Sequence, residues 1–272
     1  MLKTRLILII VSALIIWLIF MLPKAVVENE NQLAATDSVK TGKTIPSKGH
    51  SDVPEALSNA IKSLRTQYLQ GSTNQKNAIF ADSLRSLYTQ AGQFDSAAWY
   101  AEQSATFFKT TESFLKAGNS FYEAYTFSMG AEKQQAMALK AQEFLGKAIE
   151  ANPKNYEARI KMAMTYLSSS PMQGIQKIRD VLNEDPKNEF ALYNLGMLSM
   201  QSGQYDRAIE RLNDLIEVNP NHVQGQLLLG VAYMNAGKKE KAKAQFEKVK
   251  KLDNDPAVQS TADSYLQELK VK

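Results

Sequence analysis

Glu189-Phe190-Ala191-Leu192-Tyr193-Asn194-Leu195-Gly196, then Gly203-Gln204-Tyr205-Asp206-Arg207-Ala208-Ile209-Glu210, then Asn219-Pro220: these three segments decide the fold. Gly196 and Ala208 are small residues placed where two antiparallel helices must approach each other. Gly203 supplies the left-handed residue that ends the first helix. Pro220 cannot continue the second helix and pre-sets the turn into the next one. The stretch therefore reads as one helical hairpin.

The same order returns along the chain. Pro153, Pro186, Pro220 and Pro256 stand 33, 34 and 36 residues apart, a period in the range of helical-hairpin repeats. Between them the small residues recur in pairs: Ala163 with Gly174, Gly196 with Ala208, Gly230 with Ala242. Gly237 matches Gly203, and Tyr166, Ile178, Leu212, Tyr233 and Phe246 are the large residues expected to fill the space between hairpins. This predicts repeats at 156–188, 189–222 and 223–256. An earlier copy, 78–111, keeps Leu84, Tyr88, Gly92, Phe94 and Ala97 but carries Arg85 at the small position. The copy at 112–155 is longer: Gly118 and Ala141 are 23 residues apart where Gly196 and Ala208 are 12 apart. Eleven extra residues are close to three helical turns, so both arms stay in phase. A hairpin standing proud of the stack is expected, turning at Gly130 with Phe127 and Met129 near its tip. Val258, Ala262, Tyr265 and Leu269 in 257–272 form the apolar face of a closing helix that covers the last repeat. Residues 54–71, with Ile61, Leu64 and Tyr68 at helical spacing, form an N-terminal packing helix.

These residues resemble tetratricopeptide (TPR) repeats, over roughly 78–256. The resemblance implies an all-α solenoid, a right-handed superhelix of hairpins spanning 72–256, with Ala97 and Ala141 joining the packing residues above. It also implies that the first helix of each hairpin lines a concave groove that holds a protein segment. The residues facing that groove would be Ile160, Met164 and Leu167; Tyr193, Met197 and Met200; Leu227, Val231 and Met234. Such a stripe is apolar, and its methionines can repack around varied ligands. The same stripe also reads as packing between repeats. TPR domains that grip a C-terminal carboxylate use Lys, Arg and Asn on this surface; Lys161 and Asn194 are the candidates, without a complete clamp.

The N-terminus carries a separate signal. Leu6 to Leu22 is an uncharged apolar run of 17 residues, the lower limit for a membrane-spanning helix. A cleaved signal peptide is the rival reading. It fits less well, because the run is long and is followed by Pro23-Lys24-Ala25 without a small-x-small site. Residues 1–23 are thus expected to be an uncleaved anchor. Lys3 and Arg5 ahead of it place the N-terminus in the cytoplasm and the repeats outside. Residues 24–53 are polar and aperiodic, the composition of a disordered tether. Thr41-Gly42-Lys43-Thr44 within it lacks the preceding glycine and the strand and helix of a phosphate-binding loop. The layout is similar to single-span bacterial envelope proteins that display TPR arrays in the periplasm.

Composition excludes more than it assigns. The 272 residues include no Cys and two His, with a net charge of +4. Disulfides, thiolate metal sites and Cys nucleophiles are excluded, and His50 and His222 are too far apart in role to build a paired-His metal site. No nucleophile elbow or nucleotide fingerprint occurs. The chain is read as a non-enzyme without cofactor, metal, nucleic-acid or small-molecule partner. Lysines 238, 239, 241, 243, 248, 250 and 251, diluted by Glu240, Glu247 and Asp253, read as a solvated helix face or as contact with an anionic surface. The expected function is a membrane-anchored scaffold or adaptor that binds envelope or membrane-associated proteins on the extracytoplasmic side of the inner membrane, in assembly or as a co-chaperone. The alternative is a cytosol-facing receptor that hands precursor proteins to a channel.

Overall fold

A computed structural model describes residues 53–71 and 73–271. The expected anchor and all of the expected tether except Val53 lie outside those residues. Among the described residues no helix is long and apolar enough to cross a membrane.

Twelve α-helices and no strand occur among the described residues: α1 (Glu55–Leu69), α2 (Asn74–Gln90), α3 (Phe94–Phe108), α4 (Thr111–Phe127), α5 (Ala131–Ala151), α6 (Tyr156–Met164), α7 (Pro171–Glu184), α8 (Glu189–Gln201), α9 (Tyr205–Val218), α10 (Val223–Asn235), α11 (Lys239–Leu252) and α12 (Pro256–Val271). Helices α2 to α11 pair in order as five hairpins, each packed on the next, with α1 before the first and α12 after the last.

The starts of the later hairpins have a common cause. Asn155, Asn188 and His222 each stand two residues after a proline. Each accepts a hydrogen bond from the backbone N–H three residues on, at 3.1, 3.0 and 3.0 Å. That satisfies a donor the helix itself cannot. Pro256 behaves differently: it is the first residue of α12, and Asp255 Oδ1 accepts from the N–H groups of Ala257 and Val258. The closing helix therefore starts one residue before the boundary expected from spacing. Similarly, α2 begins at Asn74 with Thr73 as its cap, ahead of residue 78. Gly203 and Gly237 follow α8 and α10 at φ +72°, the left-handed conformation that only glycine adopts without cost.

Inside the hairpins, glycine marks close approach. A Cβ on Gly196 would lie 2.8 Å from Leu212 side-chain atoms, and one on Gly230 would lie 2.5 Å from the Phe246 ring. In α6/α7 the glycine sits on the second helix, where a Cβ on Gly174 would meet the Ala163 carbonyl oxygen at 2.7 Å. Ala97, Ala141, Ala163, Ala208 and Ala242 are fully buried at these crossings. In α2/α3, Arg85 turns its guanidinium to Asp82 (2.9 Å), and the buried Ala81 and Leu84 pack with Ala97 instead.

The long hairpin keeps the phase of its neighbours. Its helices have 17 and 21 residues against 13 and 14 in α8/α9. A Cβ on Gly118 would meet Leu145, 27 positions on, while Gly196 meets Leu212, 16 positions on. The difference is the same eleven residues, about three turns, so the inward face returns to register. Gly130 makes the turn at φ +93°. Phe127 and Met129 beside it are 64% and 92% exposed. The tip is flanked on one side: Phe127 stacks on Phe94 at the start of α3, with centroids 4.4 Å apart.

The next hairpin depends on this one. Helix α6 has only 9 residues and no glycine to end it, so the chain tightens into i→i+3 turns at Tyr166 and Leu167. The preceding hairpin supplies partners for the loose end. Tyr125 donates to the Met164 carbonyl (3.2 Å), and Gln142 donates to the buried Thr165 hydroxyl (2.9 Å).

Candidate protein-binding face

Side-chain bridges sort the stack into two faces. On one, first helices are linked to first helices: Lys116 of α4 bonds Asp82 of α2 (3.0 Å), and Lys161 of α6 bonds Asn119 of α4 (3.1 Å). On the other, second helices are linked to second helices. Lys133 of α5 pairs with Asp95 of α3, and Lys140 of α5 pairs with Glu102 of α3 (2.7 Å).

The nine residues expected to line a groove on the first-helix face do not form one stripe. Ile160 and Met164 are 0% and 8% exposed, inside a core with Ala163, Ile178, Val181, Ala191 and Leu195. This corrects their reading as groove residues: their side chains pack between α7 and α8. Leu167 lies in the turn after α6, half-buried against the same core. Leu227, Val231 and Met234 on α10 are half-buried against a core of Ala242, Phe246, Val249 and Ala262. Tyr193, Met197 and Met200 on α8 remain, half-buried, with Tyr193 stacked on His222 at 5.4 Å.

Of the polar part of this face, Lys161 and Asn194 were named from sequence, and Lys116 and Asn119 were missed. Lys116, Lys161 and Asn194 each stand two residues before a small packing residue (Gly118, Ala163, Gly196), so they occupy one column along successive first helices. That register was available in the sequence; the partners were not. Lys161 is held by Glu157 (2.6 Å) as well as Asn119. Asn194 is buried and donates to the Phe190 carbonyl (2.7 Å). The two are thus engaged separately and do not form a carboxylate clamp. Glu123, further along α4, is half-buried. Burial pushes its carboxyl above the usual range, and the attraction of Lys161 and Arg85 offsets only part of this. For Asp82, burial also pushes upward, but hydrogen bonds from Arg85 and Lys116 outweigh it and hold the group below the usual range.

The lysine-rich helix α11 resolves into engaged and open side chains. Lys238 pairs with Asp206 (2.7 Å), Lys250 with Asp263, and Lys241 lies over the Tyr233 ring. Among the described residues no group of three His, Asp or Glu side chains could hold a metal ion.

Comparison with known proteins gives the class. Residues 173–228 and 199–262 match the tetratricopeptide repeat model, from α7 into α12. The described helices form an all-helical, TPR-like solenoid. A TPR protein of solved structure from Parabacteroides merdae superposes with a TM-score of 0.55 at 18% identity, over 78% of this chain and 82% of that one. Among curated proteins, a DnaJ homolog subfamily C member 7 homolog from Schizosaccharomyces pombe is 26% identical over 202 residues, 72% of this chain. The match spans 39% of that relative's length. The particular role of this chain is not carried by these likenesses.

Proposed function

We propose that this protein is a membrane-anchored TPR scaffold that holds a segment of a partner protein on its first-helix face, on the extracytoplasmic side of the membrane. Residues 6–22 would be the anchor, and the partners would be envelope or membrane-associated proteins undergoing assembly, with the scaffold acting as an adaptor or co-chaperone. One observation carries the binding part. The first-helix face changes along the stack from the polar and charged column of Lys116, Asn119, Glu123 and Lys161 to the half-buried apolar Tyr193, Met197 and Met200. A segment with a polar end and an apolar end fits that gradient in one direction only. The tether adds effective concentration near membrane partners.

The test is site-specific photocrosslinking in intact cells. Crosslinkers at Lys116 and at Met197 should capture the same partner, and one at Lys248 on α11 should not. Capture from Lys248 alone would overturn the first-helix face as the site. Topology is checked separately. The chain has no Cys, so Ser260→Cys provides a single thiol, and labelling of it only from the cytosol would replace this reading with the receptor facing inward.

A further inference from the structure

The first helices of the five hairpins carry five carboxylates: Asp82, Glu112, Glu123, Glu157 and Glu189. Four of them have partners. Asp82 holds Arg85 and Lys116, Glu112 holds Lys116, Glu157 holds Lys161, and Glu189 accepts from Asn219 (2.8 Å). Glu123 is the exception: among the described residues it has neither a hydrogen bond nor an ion pair. Lys161 and Arg85 attract it. However, Lys161 directs its amine to Asn119 and Glu157, and Arg85 turns its Nε to Asp82.

The surrounding charges cancel without Glu123. Arg85, Lys116 and Lys161 face Asp82, Glu112 and Glu157 in the pairs just given. Glu123 is left as the surplus negative charge on this part of the face. It is also half-buried, where an ionised carboxylate gains most from a cation brought to it. The upward push on its carboxyl agrees with a charge short of partners.

Register places apolar side chains in line with it. Glu123 stands five residues after Gly118, Leu167 four after Ala163, and Met200 four after Gly196. Those small residues mark corresponding crossings in successive hairpins. The three side chains therefore start from nearly one height on α4, the turn after α6, and α8. Helices α4 and α6 are neighbours through Lys161 and Asn119, and α6 and α8 share a core. Neighbouring axes lie about 8–10 Å apart, or about three residues of an extended chain.

We propose that Glu123 is the socket for a lysine or arginine of the partner segment, with apolar side chains about three and six residues away seated over Leu167 and Met200. This rests on the first-helix face as the binding surface and adds the chemistry of its occupant. The polar end of the segment is basic, and an acidic one would meet repulsion there.

The experiment selects a random nonapeptide library, displayed on phage, against the full chain in nanodiscs. Parent, Glu123→Gln and Glu123→Lys are compared, with thermal unfolding to check that each is folded. On the parent, Lys and Arg should be enriched at one position by about fivefold or more, with apolar residues about three and six positions away. Glu123→Gln should lose the basic enrichment and keep the apolar one. Glu123→Lys should enrich Asp and Glu at the same position instead. Basic enrichment that survives Glu123→Gln would overturn the assignment. Apolar enrichment alone on the parent, lost in Met200→Ala, would also overturn it and leave the first-helix face standing. A parent that enriches no sequence would remove that face as a peptide site, and this proposal with it.

Discussion

The long hairpin α4/α5 and the regular hairpin α8/α9 solve the same packing problem with different tolerance. In both, a glycine on the first helix admits a leucine from the second. In α8/α9 the atoms nearest a Cβ on Gly196 all belong to the Leu212 side chain, which has some freedom to move. In α4/α5 a Cβ on Gly118 would meet not only the Leu145 side chain at 2.6 Å but its backbone nitrogen at 2.9 Å. A longer hairpin makes more contacts along its length and cannot shift one crossing without shifting the others. Extra turns therefore add rigidity as well as height.

Substitution at the two glycines tests that contrast most strongly. Gly118→Leu should cost about 3 kcal/mol or more, because backbone must move, and Gly196→Leu about 1–3 kcal/mol. Urea unfolding of the two variants gives the order directly. If Gly196→Leu proved the more damaging, the long hairpin would be the looser of the two.

How much of this could be read beforehand follows from which forces are local. The hairpin phase was legible because small residues, αL glycines and turn prolines act within a few residues of themselves. The eleven-residue lengthening was legible because whole turns preserve phase. The fate of the groove stripe was not. Ile160 and Met164 are buried because Ile178 and Val181 of α7 and Ala191 and Leu195 of α8 close on them. Helical periodicity says which side of a helix is apolar, and it does not say which neighbour takes that side. The polar column was legible only at Lys161 and Asn194: Lys116 and Asn119 gain meaning only when paired with Asp82 and Lys161, 34 and 42 positions away.

A smaller difference lies in how the two regions start their helices. The regular repeats cap their first helices with a side chain two residues after proline, while α4 of the long hairpin uses a reciprocal Thr110–Ser113 capping box with no proline before it. Asn188→Ala should therefore cost about 1 kcal/mol in thermal unfolding. His222→Asn should be neutral or stabilising by a few tenths, since Asn ranks among the best caps. A marked loss in His222→Asn would mean that its stacking on Tyr193 matters more than its cap.

The junction ahead of the long hairpin offers a change in the opposite direction. Lys109 adopts φ +51°, left-handed for a residue with a side chain. A left-handed L-residue costs about 1–2 kcal/mol, and glycine loses about 0.5–1 kcal/mol of that advantage to its freer unfolded state. Lys109→Gly should raise stability by about 0.5–1 kcal/mol, measured by the same denaturation.

The smallest effect has the clearest signature, because it depends on pH. Asp82 ties α2 to α4 through Lys116 and is also paired with Arg85 of its own helix, and α8 and α10 of the regular repeats have no such ion pair between them. Its carboxyl is held below the usual range despite burial, so the folded state favours the charged form. That contribution is complete above the ordinary carboxylate range and fades as pH falls through the lowered folded value. Both side chains of the Lys116 pair are about one-third exposed (38% and 31%), so solvent screening limits the effect to about 0.5–1 kcal/mol. Asp82→Asn should thus melt earlier than the parent at neutral pH, with the gap closing in acid and narrowing in high salt. A gap that stays constant with pH would assign the loss to packing at α2 and remove the ion column from the account of what stiffens this half of the stack.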